Sequence, residues 1–431
     1  MVHVIIMAKQ LSERRNMIDI PRHNLLPLVI HPPHKVLHIH TSDRTAFKQC
    51  RRKWFFSSPL QLNLERAWPN DKLWLGKLLH EALAHCVVSN PTVTGTMWSY
   101  PTPQGEKDIY LGGPLTVDNL EEVFEICQKV ARANLAQKMN WQGFSPEQEE
   151  ELDGLLELGL AMCHTYMLWH KRVAKFKVIA SEVPFSVPLY DYRSGNRLRA
   201  TYDGHIDFVM DDTEDLRDPN LWLGEYKSVA QMRDPERLQF DEQWTSYIWA
   251  KQQEQRGGDK KDKYLGVVYI ELRKKKPRIP DIVYQGKRVS CNKATDTTPD
   301  VWLETVAQLE GWEGTLEELE QNIHRRADTD YIAMLDNLYE KERQGKGYVR
   351  ITWVRHSQAE IDHVGKSIVH EYYDMRRPTH IVPTPTWDCT WRCDFKEVCL
   401  ALNDGVDITE YLYGTGEYVE RIGYYGDVRD E

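Results

Sequence analysis

Three cysteines, Cys389, Cys393 and Cys399, crowd into the segment WDCTWRCDFKEVCL. Thiols this close, in an acidic chain with only 8 Cys among 431 residues, point to a shared metal and not to a disulfide scaffold. Their spacing is not that of paired zinc knuckles, so a fourth ligand has to come from elsewhere. Cys50, in TAFKQCRRKWFF, is the distant candidate. A metal joining it to the C-terminal trio would close almost the whole chain into a loop. An iron-sulfur centre needs four thiolates in no fixed order, and zinc is the competing metal. The plain alternative makes Cys50 a small buried residue sharing a helical face with Phe47 and Trp54.

A content of 41% hydrophobic residues, with 14 Trp and 21 Tyr, is enough for a folded core. The net charge of -10 argues against a coat protein held to nucleic acid by charge alone. It does not argue against an enzyme that binds metal through carboxylates and needs only a local basic groove. Arg51, Arg52 and Lys53 form one basic concentration; the run Arg273 to Arg278, followed by Lys287 and Arg288, forms another. Each reads either as a phosphate-binding surface or as solvated charge. The opening MVHVIIMAKQ has no basic leader and no stretch reaches spanning length, so the expected setting is cytoplasmic and reducing, with no membrane partner.

Periodicity divides the chain. Residues 1–40 read as an extended, Pro- and His-rich lead-in, 41–400 as the main domain, and 401–431 as an acidic tail. A helix from Ser42 should carry Phe47, Cys50 and Trp54 inward, and a second, Lys72 to Val88, should place Gly76, His80, Leu83 and Val87 on one stripe. Helices near 117–138 and 146–173 precede three alternating runs, VIASEVPFSVPLYD, RLRATYDGHIDFVM and LWLGEYKSV, which predict an antiparallel meander. A helix from Pro235 to Gln255, a strand KYLGVVYIEL, charged helices over 298–345, a strand GYVRITWVR and a helix Gln358 to Met375 complete the reading. Residues 258–345 look like an insertion.

In LWLGEYKS the period of two puts Leu221, Leu223, Glu225 and Lys227 on one face, so an apolar run ends in a carboxylate and an amine. A hairpin would bring Asp207, from GHID, beside Glu225. Two hard oxygen ligands suit Mg²⁺ or Mn²⁺, and Lys227 supplies a fixed positive charge for a phosphodiester under attack. Gln243 and Tyr247 lie at i and i+4 on the following helix, and His80 points inward from an earlier one. The bland reading is a Glu-Lys pair, a solvated Asp and a core His.

In order, GKLLHEAL, GHID, GEYKS, Q-x-x-x-Y and the C-terminal cysteines resemble the PD-(D/E)XK nuclease superfamily in its RecB-like branch. That branch includes the AddB nuclease domain, cluster-bearing CRISPR adaptation nucleases and phage RecB-like exonucleases. The resemblance implies an α/β fold of the restriction-endonuclease-like kind: a mixed central sheet flanked by helices, with a 4Fe-4S cluster clamping the N- and C-terminal segments through Cys50, Cys389, Cys393 and Cys399. It implies His80, Asp207, Glu225 and the Tyr226 carbonyl as ligands of Mg²⁺ or Mn²⁺, Lys227 as the catalytic lysine, and Gln243 and Tyr247 lining the site. Ile206 stands where the family name has proline, and Asp203 rivals Asp207 for the acidic position. The implied activity is hydrolysis of DNA as an exonuclease on single-stranded ends in recombination, repair or phage DNA processing. CRRKWFF offers either stacking for unpaired bases or packing around the cysteines. The rival reading is a non-catalytic DNA-binding or recombination partner with a structural metal cluster. Glu360 stands where the first glycine of a P-loop ending in Gly365, Lys366 and Ser367 should be, so a helicase or recombination protein acting with it would be a separate chain.

Overall fold

The structure, a computed structural model, describes residues 35–68, 71–88, 95–173, 176–211, 220–256, 263–378 and 380–421. The lead-in up to residue 34, the segment 212–219 where the sequence predicts a turn, and the last part of the tail, 422–431, lie outside the described residues.

In chain order the elements are β1 (Leu37–His40), α1 (Thr41–Gln49), α2 (Arg51–Ser57), β2 (Leu64–Arg66), α3 (Asp71–Cys86), β3 (Gly95–Thr102), β4 (Gly105–Gly112), α4 (Leu120–Lys138) and α5 (Pro146–Val173). There follow β5 (Lys177–Tyr190), β6 (Arg197–Asp211), β7 (Asn220–Val229), α6 (Pro235–Leu238), α7 (Glu242–Glu254), β8 (Lys263–Arg273), β9 (Ile282–Val283) and β10 (Arg288–Val289). The remainder are α8 (Pro299–Glu310), α9 (Leu316–Arg325), α10 (Thr329–Arg343), β11 (Val349–Val354), α11 (Gln358–Arg376), α12 (Lys396–Asn403) and β12 (Tyr418–Glu420).

The chain divides into two compact units, one drawn from Met1–Pro69, Ser186–Gly204 and Gly365–Glu431, the other from Asn70–Phe185 and His205–Val364. In the first, β1 runs parallel to the start of β6, with Leu37 opposite Ala200, and β12 pairs antiparallel with β2. Residues 37–40 and 418–420, expected in the lead-in and the tail, are therefore strands of this unit. Its aromatic core stacks Phe395 between Phe56 and Tyr418, at 5.1 and 5.3 Å.

The expected single helix from Ser42 is two helices. Cys50 is extended between them, with φ -161° and ψ 114°, so it stands at a break instead of on a continuous stripe. Phe47 and Trp54 still meet edge to face at 5.0 Å. Trp54, Phe55 and Phe56 are buried, so the aromatic rings of CRRKWFF take the packing alternative and present no stacking surface.

The second unit is a mixed sheet flanked by helices, consistent with the restriction-endonuclease-like kind. The end of β6 pairs antiparallel with β7, β7 parallel with β8, and β8 antiparallel with β11. Along β7 the burial is continuous from Leu221 to Tyr226, as suits a strand covered on both faces. On one face Tyr226 meets Tyr166 of α5, their hydroxyls 3.2 Å apart. On the other, Tyr269 of β8 meets Trp244 of α7 at 6.1 Å.

Residues 282–343 carry their own hydrophobic cluster, in which Trp302 of α8 meets Tyr331 of α10 edge to face at 4.9 Å. The sequence delimits these helices. Thr298 caps α8 ahead of Pro299, Gly311 ends it at φ 64°, and Thr315 with Glu318 forms the capping box of α9. The basic run read as a possible phosphate surface is extensively paired: Arg273 and Lys275 to Asp296, Lys276 to Glu157, Arg278 to Asp281 and Arg288 to Asp328. Gly365, Lys366 and Ser367 lie inside α11 and form no phosphate-binding loop. Among the described residues no helix is long and apolar enough to cross a membrane.

Candidate active site

Gly224 comes first, because it decides how β6 and β7 approach. A methyl group there would lie 2.0 Å from the Phe208 ring, so the glycine lets Phe208 settle over the strand and against Tyr226, ring centres 4.7 Å apart. Phe208 opposite Gly224 is the end pair of the β6–β7 ladder. The next side chain, Asp207, accepts a hydrogen bond from the Tyr226 main-chain N–H at 2.9 Å. A carboxylate thereby takes a donor that a continuing strand would otherwise engage.

The helix α3 is admitted by a second glycine. A Cβ on Gly76 would sit 3.0 Å from Ser228 Oγ, so α3 passes close to the end of β7. One turn further along the same stripe, His80 presents Nδ1 to Asp207 Oδ2 at 3.2 Å. Burial acts to raise the Asp207 carboxyl. The His80 charge and hydrogen bond, the Tyr226 N–H and the Lys227 charge together overcome it and hold the group below the ordinary aspartate value. Asp207 is therefore a carboxylate at neutral pH.

Glu225 and Lys227 project together as the strand period requires and form an ion pair. The glutamate is only 2% exposed, whereas 29% of the lysine side chain is accessible. Burial lowers the Lys227 pKa from the ordinary lysine value, opposed by Asp207 and Asp241 and reinforced by Arg233. The helix expected from Pro235 is interrupted at 239–241, and Asp241 caps α7 through the Gln243 N–H. Gln243 and Tyr247 share a face of α7 as expected, with Nε2 to the hydroxyl at 3.5 Å. Tyr247 is buried against Phe185 and Trp244. The rival carboxylate, Asp203, belongs to the other unit and is occupied by His38, Ser186 and Thr201.

Glu182 was not singled out in the sequence. It lies within β5 at φ 46°, a left-handed conformation that is unusual for a side chain of this size. Burial pushes its carboxyl up to about 7, with the Asp207 charge adding to the rise and His80 opposing it. Its only sequence signal is an acidic residue inside a predicted strand.

The donor types Asp207, Glu225 and His80, with the Tyr226 carbonyl, suit a hard divalent ion. Asp207 and His80 adjoin, while Glu225 is turned to Lys227. Among the described residues, no three His, Cys, Asp or Glu side chains converge as a metal site.

The C-terminal cysteines and Cys50 all belong to the first unit and are free thiols. Cys50 Sγ accepts the Thr384 N–H at 3.4 Å, Cys389 Sγ the Thr386 N–H at 3.4 Å, and Cys399 Sγ an Arg52 N–H at 3.1 Å. Burial raises the Cys393 thiol, Lys53 opposes it, and Cys389 and Cys50 are near enough to add to the rise. Cys86 and Cys127 differ: both are fully buried in the other unit, and burial pushes the Cys86 thiol up to about 12. Donor contacts to sulfur are the kind that cluster ligands accept.

The family model of the PD-(D/E)XK nuclease superfamily matches residues 41–400. The chain belongs to that superfamily. No curated protein matches it.

Proposed function

We propose that this member of the PD-(D/E)XK nuclease superfamily is a divalent-metal-dependent deoxyribonuclease of the RecB-like branch, acting as an exonuclease on single-stranded DNA ends. The observation that carries the reading is Asp207, kept ionised between the His80 imidazole and the Tyr226 N–H, with the Lys227 ammonium on the adjoining strand.

A Mg²⁺ or Mn²⁺ ion, when bound, supplies charge neutralisation at the phosphate and a more acidic water. Asp207, Glu225, His80 and the Tyr226 carbonyl are its proposed ligands. The remaining work belongs to the chain itself. Asp207 and His80 hold each other in place. Lys227, half-buried and paired with Glu225, offers a preorganised cation to charge developing on the scissile phosphate, where partial exclusion of water strengthens it. Gln243, whose Nε2 donates to the Tyr247 hydroxyl at 3.5 Å, is proposed to line the site, and the buried Tyr247 ring fixes that face of the helix.

Cys50, Cys389, Cys393 and Cys399 are the proposed ligands of a 4Fe-4S cluster. Its part is structural, joining segments from the two ends of the sequence. A place in recombination, repair or phage DNA processing, beside a separate helicase or recombination protein, follows from the same branch assignment.

Single- and double-stranded DNA labelled differently at each end, incubated with Mg²⁺ or Mn²⁺, tests the reading. Progressive loss from an end of the single strand is expected. Internal cuts without end dependence would replace the exonuclease by an endonuclease.

A further inference from the structure

A buried ion network lies one strand away from Lys227, on the same face of the sheet. Lys227 is the Cα partner of Glu271 in the parallel β7–β8 ladder, and Arg350 of β11 is the Cα partner of Glu271 on its other side. Glu271 is 0% exposed. Its Oε1 accepts from Arg233 Nε at 3.0 Å, and its Oε2 accepts from Arg350 Nε at 3.0 Å. One buried carboxylate thus holds two guanidinium groups, and Asp241 is a second carboxylate 3.9 Å from Arg233.

The two arginines are held differently. Arg350 donates through Nη2 to Glu271 and to the Arg233 main-chain carbonyl, which fixes the loop after β7. Arg233 is anchored by Nε and its own N–H to Glu271, with its guanidinium 5.5 Å from the Tyr269 ring centre. Its two terminal nitrogens remain. Nη2 is buried without a hydrogen-bond partner, and Nη1 forms a loose ion pair with Asp241 at 3.9 Å, beyond hydrogen-bond reach. A planar fork hydrogen-bonded along one edge, with only the long Asp241 contact on the other and 31% of the side chain exposed, can take a phosphate in place of that contact.

We propose that Arg233 binds a backbone phosphate of the DNA strand next to the phosphate attacked at Lys227. This rests on the nuclease reading and adds to it the group that holds the strand in register. Asp241 offsets the charge of the Arg233–Glu271–Arg350 set only across 3.9 Å, and the set's place across the ladder from Lys227 puts Arg233 along the path of one strand.

The test measures binding of a short fluorescein-labelled single-stranded oligodeoxynucleotide by the full chain, with Ca²⁺ replacing Mg²⁺, over a range of salt. Arg233→Gln should weaken binding by about ten- to a hundredfold, the worth of a charged hydrogen bond. It should also lower the salt slope by about 0.7, one phosphate contact on a single strand. In Mg²⁺ it should raise KM and leave kcat nearly unchanged. Arg233→Lys should keep the slope and part of the affinity. Arg350→Gln, which disturbs Glu271 equally, should keep the slope.

An unchanged slope in folded Arg233→Gln, or an equal loss in Arg350→Gln, overturns the proposal while leaving DNA cleavage by the wild type untouched. Wild-type protein that binds no DNA overturns both this proposal and the nuclease reading. A measurement that needs no variant uses wild-type protein and oligonucleotides with single neutral methylphosphonates. One position should reproduce the Arg233→Gln loss, and the absence of any such position counts against the proposal.

Discussion

The Asp207 carboxylate accepts the Tyr226 main-chain N–H at 2.9 Å, beside the end of the ladder between their strands. The acid is therefore fixed by backbone as well as by the His80 side chain. The same contact, with His80 Nδ1 at 3.2 Å, is what holds its pKa down against burial. Asp207→Asn keeps an acceptor for Tyr226 N–H and should still fold, with a melting temperature at neutral pH lower than wild type, while DNA cleavage falls by at least about a hundredfold. The lowered pKa also sets a pH dependence. The ionised group stabilises the fold above its unfolded pKa, and that contribution disappears as pH falls through the lower folded value. Acid titration of stability should thus show a steeper loss for wild type than for Asp207→Asn.

Lys227 neutralises a glutamate with 2% exposure. In the absence of divalent ions, Lys227→Met should cost about 1–3 kcal/mol by leaving that carboxylate unpaired. Adding Glu225→Gln should recover most of the loss in a denaturant titration. Activity should return in neither variant, and recovery of cleavage in the double variant would remove the lysine from the chemistry.

Gly224→Ala places a methyl group against the Phe208 ring, which rests on Tyr226. Overpacking of this kind costs about 1–3 kcal/mol. Because Tyr226 carries the N–H that anchors Asp207, cleavage should fall along with stability. A variant as stable and active as wild type would show that the close approach has no consequence.

His164 supplies a second pH test, away from the site. Its Nε2 is 2.8 Å from Glu304 and its Nδ1 3.1 Å from Glu121, and the Glu304 hydrogen bond chiefly raises its pKa. A raised pKa stabilises fully below the unfolded histidine value and loses its effect as pH climbs through the folded value. The difference in melting temperature between wild type and His164→Gln should be larger at about pH 6 than at about pH 8. Equal differences at the two pH values would contradict the charge pairing.

For the cysteines, anaerobically purified protein should carry iron and acid-labile sulfide and absorb visible light. Cys393→Ala should lose both, whereas Cys127→Ala should keep them. A colourless protein with stoichiometric zinc would assign the thiols to the other metal.

Much of the site was legible because it depends on local periods. The strand alternation in LWLGEYKS put Glu225 and Lys227 on one face, and the helical stripe from Gly76 led to His80. What escaped notice depends on partners remote in sequence. The Arg233–Glu271–Arg350 network needs the order of β7, β8 and β11, which no single segment contains. Glu182 owes its raised carboxyl chiefly to burial in the folded chain, with Asp207 of β6 adding to the rise. The break at Cys50 escaped because Phe47 and Trp54 keep a helical spacing across it, and the stacking alternative for CRRKWFF gave way to burial of Trp54, Phe55 and Phe56. The run from Arg273 left a phosphate surface and solvated charge both open because its carboxylate partners, Glu157 and Asp296 among them, are set apart from it in the sequence.

The most direct measurement is degradation of end-labelled DNA by purified wild type and Lys227→Ala, each matched for metal content, in Mg²⁺ and in Mn²⁺. Wild type should shorten the labelled strand, with Lys227→Ala slower by about a hundredfold or more. If the two proteins degrade DNA at one rate, or neither does so with either ion, the Asp207–Glu225–Lys227 set is not a nuclease centre.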